Sequence, residues 1–203
     1  MSFDRGDVVM KVVTMLDRLG ITYAIGGSFA SSLHGLMRTT NDADLVAEIK
    51  LEQVRPLFGA LAPDFYVDER SMRRSVETGR HFNVIHTETQ FKVDIFTPPA
   101  KGFVRSELQR RERHQFGGSE RKAYFASAED TVLAKLDLYL RGNEVSDRQW
   151  RDITEVLKVQ RGRLVLDYLR HWAGELKVSD MLEEALQEAD SLFGGPGSTD
   201  LVQ

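Results

Sequence analysis

The chain has 203 residues, 41% hydrophobic and 29% charged, with a formal net charge of −4. That length and balance can bury a real core and exclude global disorder, and the charge excludes a strong overall pull toward nucleic acid or an anionic membrane. The lack of cysteine excludes a disulfide scaffold, a thiol nucleophile and a Cys-ligated zinc or iron–sulfur centre.

In chain order, residues 4–19 space Val8, Val9, Val12, Val13, Leu16 and Leu19 as a helix does, with Gly20 as its stop. Ile21 to Ile25 is a short β-favouring run. Gly26-Gly27-Ser28 follows as a turn, and Phe29 to Leu36 reads as a short helix that Ser28 can cap. Asp42 to Ile49 is a second strand and Leu51 to Leu61 a helix. Strands are expected at 65–68, 81–87 and 90–97, the last two joined by the hairpin Thr87-Glu88-Thr89-Gln90, with Pro98-Pro99 as a firm end. Lys101 to Gln115 reads as a charged helix, Gly117-Gly118 breaks it, and 122–125 is expected as an edge strand.

Ser127-Ala128-Glu129-Asp130 opens a strong helix to about Leu140, and helical segments follow at 147–159, 163–174 and 178–192. The expected fold is therefore α/β (α+β): a small mixed sheet flanked by helices over 1–126, a C-terminal helical lobe over 127–193, and a disordered tail over 194–203. No apolar run nears the roughly 20 residues of a membrane span. MSFDRGDVVMK lacks a signal-peptide core, so a cytoplasmic protein with no membrane partner is expected.

The most informative stretch is the strand, the Gly-Gly-Ser turn, the short helix and then a strand bearing Asp42-Ala43-Asp44. Residues i and i+2 of a strand share a face, so Asp42 and Asp44 stand side by side. Like charges so close repel, and a divalent cation with a taste for hard oxygen ligands relieves them. Asp94 lies in the otherwise apolar run Phe91-Lys92-Val93-Asp94-Ile95-Phe96, where an acid is costly without a partner. Three acids on two strands can hold two Mg²⁺ ions, with Mn²⁺ as a substitute, for in-line phosphoryl displacement. Gly26, Gly27 and Ser28 supply close backbone approach and a helix N-terminus for phosphate. No Walker-type loop and no Ser-His-Asp or His-rich metal spacing stands out.

Gly26-Gly27-Ser28, then Asp42-x-Asp44, then Asp94 resembles the DNA polymerase β-type nucleotidyltransferase superfamily. The strings HGLMRTTNDADL (34–45) and EDTVLAKLDLYLRGNEVSDRQWRDITEVL (129–157) resemble its abortive-infection, AbiEii-type branch. The resemblance covers about residues 20–160. It implies Mg²⁺-dependent transfer of a nucleoside monophosphate from an NTP to an acceptor hydroxyl on a tRNA 3′ end, a protein or a small molecule. By the same resemblance the protein would be a toxin with a cognate antitoxin. Asp42, Asp44 and Asp94 would be metal ligands, with Asp94 also the acceptor's base. Gly26, Gly27, Ser28, Arg38 and Lys135 would hold the nucleotide, with Lys135 reaching its phosphates and Asp152 orienting Lys135 or the acceptor. The 13 residues between Ser28 and Asp42 exceed the spacing of many minimal members.

Plainer readings stand beside these. A Gly-Gly pair is ordinary at a β–α turn, Lys135 on an apolar helix can snorkel, Asp152 can be a surface charge, and Arg38 can pair with a carboxylate. The basic stretches 70–80 and 101–122 read as solvated faces or as a surface for RNA. A non-catalytic nucleotide-binding or protein-interaction module on the same fold is the alternative function.

Overall fold

The computed structural model describes residues 5–37, 40–116, 121–142 and 146–191. Arg38 and the tail from residue 194 lie outside the described residues. Helix α1 (Arg5–Arg18) buries Val8, Val9, Val12, Val13 and Leu16, as their spacing dictates. Gly20, at φ +64°, turns the chain into β1 (Thr22–Ile25). Helix α2 (Gly27–His34) and strand β2 (Asp42–Glu48) follow. Burial along β2 alternates strictly: Ala43, Leu45 and Ala47 enter the core, while Asp42, Asp44 and Val46 face the other way.

Helix α3 (Leu51–Leu61), strand β3 (Phe65–Tyr66), helix α4 (Glu69–Thr78) and the pair β4 (His81–His86) and β5 (Lys92–Phe96) come next. After helix α5 (Gly102–Arg110) come strands β6 (Glu112–Gln115) and β7 (Lys122–Phe125). Among the described residues seven strands form one mixed sheet in the order β3-β4-β5-β2-β1-β7-β6. The β2–β5 and β1–β7 pairs are parallel and the others antiparallel. Helices α6 (Ala128–Arg141), α7 (Asp147–Val159), α8 (Leu166–Leu176) and α9 (Ser179–Ser191) complete the described residues.

The apolar core falls into two clusters. One joins α1, α3 and Met72 of α4 to one face of the sheet, through residues such as Tyr23, Leu45, Val93 and Phe125. The other joins α6 to α9 through Val132, Leu136, Ile153, Val156, Leu169 and Leu182. No helix among the described residues is long and apolar enough to cross a membrane.

Four sequence expectations need correction. The strand expected at 65–68 stops at Tyr66, because Asp68 caps α4 by accepting from the Ser71 amide. That helix was missed altogether behind its charge: Arg70, Arg73 and Arg74 mask an apolar face of Met72 and Val76, and Gly79 closes it at φ +67°. The helix expected over Lys101 to Gln115 ends at Arg110, and Glu112–Gln115 is a strand. Strand β7 is not an edge strand, since it lies between β1 and β6. The polar β6 takes the edge, where charge guards against pairing with another chain. The fourth correction, the start of α2, belongs to the site.

A buried polar network links α5, α6 and α8. Asp130, fully buried, accepts from Tyr168 Oη at 2.5 Å and Ser127 Oγ at 2.7 Å. Arg110 donates to Glu129 at 3.0 Å, and its guanidinium carbon stands over the Tyr168 ring, 4.0 Å from its centroid. Glu129 also accepts from the Val165 amide at 2.9 Å. The carboxylates of this network are held by bonds within it, as a low-dielectric site requires, while Arg110 Nε is buried without a hydrogen-bond partner, 3.7 Å from Asp130 Oδ2.

Candidate active site

The site forms where β1 ends and β2 begins. The Gly26 amide donates to the Asp44 carbonyl at 2.8 Å, which carries the antiparallel ladder one step past β1. Helix α2 then starts at once. Gly26 is its N-cap, without a side-chain cap, so Ser28 is the second helical residue and not the cap expected from sequence. Gly27 sits at φ +55°, and a Cβ there would stand 2.8 Å from Asp44 Cγ and closer still to Oδ2. A side chain here is strained by the backbone conformation and would force the Asp44 carboxylate to shift, so the place favours glycine. The turn is therefore pressed directly onto the Asp44 carboxylate.

Asp42 and Asp44 do share one face of β2. The parallel register sets Asp44 opposite Asp94 and Asp42 opposite Lys92 across β5. Three carboxylates and one ammonium thus lie on adjacent strands, on the face away from the α1–α3 core. Thr40 fixes the first of them, its hydroxyl donating to Asp42 Oδ1 at 3.0 Å. Lys92 Nζ lies 2.6 Å from Asp94 Oδ2. Asp94 Oδ1 is buried with no hydrogen-bond partner.

Burial and the negative charges of Asp42 and Asp94 push the Asp44 carboxyl up to about 6, against the opposing pull of Lys135 and Lys92. The bond to Asp94 raises the Lys92 ammonium above its ordinary value. Lys135 comes from α6, buried, and its Nζ donates to Asp152 Oδ2 of α7 at 2.9 Å. It is not snorkelling, and Asp152 is not a surface charge.

The donor set suits a hard divalent cation: oxygen ligands only, one carboxyl whose ionisation its neighbours oppose, and one buried oxygen without a partner. Among the described residues no three acidic or histidine side chains stand close enough to form a ready-made metal cage. Lys92 now supplies the positive charge at Asp94.

Sequence reasoning gave no role to Lys92 or Thr40. The signal for Lys92 was its i, i+2 spacing from Asp94, the same rule that paired Asp42 with Asp44. His34 is a packing residue. Its Nε2 lies 2.8 Å from the Ala126 carbonyl, its own carbonyl accepts from Gln160 at 2.8 Å, and burial lowers its pKa. These bonds pin the end of α2 to the junction between β7 and α6 and to the end of α7.

Neither the protein-family models nor the curated proteins contain a match to this chain. Solved structures do. An antigenic nucleotidyltransferase-like protein from Paracoccidioides brasiliensis superposes at a TM-score of 0.55 and 19% identity, over 92% of this chain and 93% of that one. The antibiotic-resistance factor ANT(2'')-Ia superposes at 0.51 and 11% identity, over 95% and 100%. The mixed sheet with its flanking helices is a nucleotidyltransferase-like fold.

Proposed function

We propose that this protein transfers a nucleoside monophosphate from an NTP to an acceptor hydroxyl. The observation that carries the reading is Gly27 packed on the Asp44 carboxylate, which joins a phosphate-cradling turn to a carboxylate cluster in one site. The nucleotidyltransferase-like fold supports it.

In this reading the amides at the start of α2 face the triphosphate, where the helix dipole favours negative charge. Ser28 adds a hydroxyl and Lys135 a positive charge held in place by Asp152. Asp42, Asp44 and Asp94 would hold Mg²⁺, which when bound supplies charge neutralisation at the phosphates. The acceptor oxygen bonds to the α-phosphorus, the bond from that phosphorus to the bridging oxygen breaks, and pyrophosphate leaves. The acceptor proton passes to Asp94. Catalysis is positioning and electrostatics, with no covalent intermediate on the chain.

The finer affiliation with the AbiEii-type branch rests on strings 34–45 and 129–157, and with it a cytoplasmic toxin role beside a cognate antitoxin. Growth arrest on expression, relieved by a neighbouring small gene, is its test. A second reading, nucleotide binding without chemistry, is favoured by one observation: Asp94 Oδ2 is already engaged by Lys92.

Label transfer decides between them. The protein meets each α-labelled NTP with Mg²⁺, with and without total tRNA and cell lysate, beside an Asp42→Ala/Asp44→Ala control. Label moving only with the wild type supports transfer and identifies the acceptor class. A nucleotide-induced rise in melting temperature without label movement favours binding alone. Transfer by the double variant overturns the assignment.

A further inference from the structure

The sheet face that carries the carboxylates does not end with them. Register across β4, β5 and β2 lays down two parallel rows. The polar row is Asn83, Asp94 and Asp44, since Asn83 is the Cα partner of Asp94 and Asp94 that of Asp44. The next row is His81, Phe96 and Val46, by the same pairings. The His81 and Phe96 rings lie side by side, with centroids 5.2 Å apart and planes tilted by 36°. Phe96 is 37% exposed, and His81 and Asn83 are exposed as well. An exposed aromatic pair one row from the Asp94 carboxylate is an ordering of side chains that core packing does not need.

Resting on the transfer reading above, we infer that this face is the acceptor's place and that the acceptor is a nucleoside, its base stacked on His81 and Phe96 and its ribose hydroxyl presented at Asp94 beside Asn83. Residues two apart on a strand are about 7 Å apart, roughly the separation between a base and the hydroxyls of its own ribose. Every base offers a flat face to an aromatic side chain, so such a platform grips a nucleoside without reading its sequence. A tyrosine acceptor fits less well. Its hydroxyl is on the ring itself, which would bring the ring over the carboxylates and leave the platform bare. Serine and threonine have nothing to stack. The nucleoside can be free or the 3′ end of a single strand of RNA, the two sharing one chemistry. The reaction joins the ribose oxygen to the α-phosphorus of the donor NTP, releases pyrophosphate and leaves the hydroxyl proton on Asp94.

The test is calorimetric titration with adenosine and with a five-nucleotide oligoadenylate bearing a free 3′-hydroxyl. Both are run with the donor place filled by α,β-methylene-ATP and Mg²⁺, so that no transfer occurs and the probe cannot enter as donor. Wild type is expected to bind one or both probes. Phe96→Ala and His81→Ala are expected to weaken that binding at least tenfold, and Phe96→Tyr to keep it. All variants should retain the melting-temperature rise caused by Mg²⁺ and ATP, because neither ring touches the Gly26–Ser28 turn. Adenosine binding as tightly as the oligomer identifies a free nucleoside, and a clear preference for the oligomer identifies a chain end. Wild type that responds to Mg²⁺ and ATP but binds neither probe overturns the inference, as does Phe96→Ala binding as well as wild type. Wild type that gives no response to Mg²⁺ and ATP overturns the transfer reading beneath it, and this one with it.

Discussion

Lys92 Nζ lies 2.6 Å from Asp94 Oδ2, within a strand face that otherwise carries only carboxylates near the Gly27 turn. The ammonium does the work of a counter-ion. It lowers the cost of ionising Asp44 next door and is the ion-pair partner of the largely buried Asp94.

Lys92→Met should therefore strengthen divalent-cation binding, because the cation no longer competes with a tethered charge. A severalfold tighter Mn²⁺ titration, read by paramagnetic relaxation of water, is the expected result. Unchanged Mn²⁺ affinity would mean that Lys92 is only a surface partner for Asp94.

Gly27→Ala asks for a methyl group 2.8 Å from Asp44 Cγ at a φ of +55°. Clash and backbone strain together should cost about 1–3 kcal/mol in urea denaturation. Nucleotide binding should be lost beyond what that stability change explains, since the turn must shift off the carboxylate. The neighbouring Gly26→Ala, whose Cβ meets nothing nearer than 3.9 Å, is the control and should cost far less.

Lys135 and Asp152 form a buried pair at 2.9 Å. Lys135→Met strands a buried carboxylate and should destabilise the fold by about 3 kcal/mol. Lys135→Met combined with Asp152→Leu should recover most of that stability while label transfer stays lost. If the double variant recovers transfer too, the pair is structural and Lys135 has no part in holding phosphate.

Glu107 is buried on α5, and burial together with the nearby Asp130 pushes its carboxyl up to about 8. The folded protein therefore keeps a proton that the unfolded chain releases near the ordinary value of about 4.3. Stability from this group is present at low pH and is lost as pH climbs from there through 8. Glu107→Gln should remove that slope. It should match wild type near pH 4 and exceed it by on the order of 5 kcal/mol at pH 9. Equal pH profiles for the two proteins would show that Glu107 is ionised without penalty.

Several of these features were readable from spacing. The i, i+2 rule put Asp42 and Asp44 on one face, and the apolar run around Asp94 marked that acid as costly. Helical spacing drew α1, the capping signal of Ser127 to Asp130 opened α6, and the runs at Asp42–Ile49 and 90–97 were readable as strands. These signals are local, so they survive in the order of residues. Helix α4 did not, because three arginines outweigh its thin apolar face. Strand β6 did not either, because Glu112 to Gln115 has no apolar alternation and becomes a strand only by pairing with β7.

The sequence by itself determined which chemistry is available: no thiol, two adjacent carboxylates, a third on a distant apolar strand, and a glycine turn before a helix. Only the tertiary structure decided how those parts meet. The β2–β5 register brought Asp94 level with Asp44, and β1–β2 pairing pressed Gly27 onto Asp44. Packing of α6 on α7 joined Lys135 to Asp152, and β4–β5 register laid His81 beside Phe96. The physical reason is that strand pairing and helix packing act between residues tens of positions apart. Local sequence sets which face a side chain takes, and long-range burial sets which neighbour it finds there.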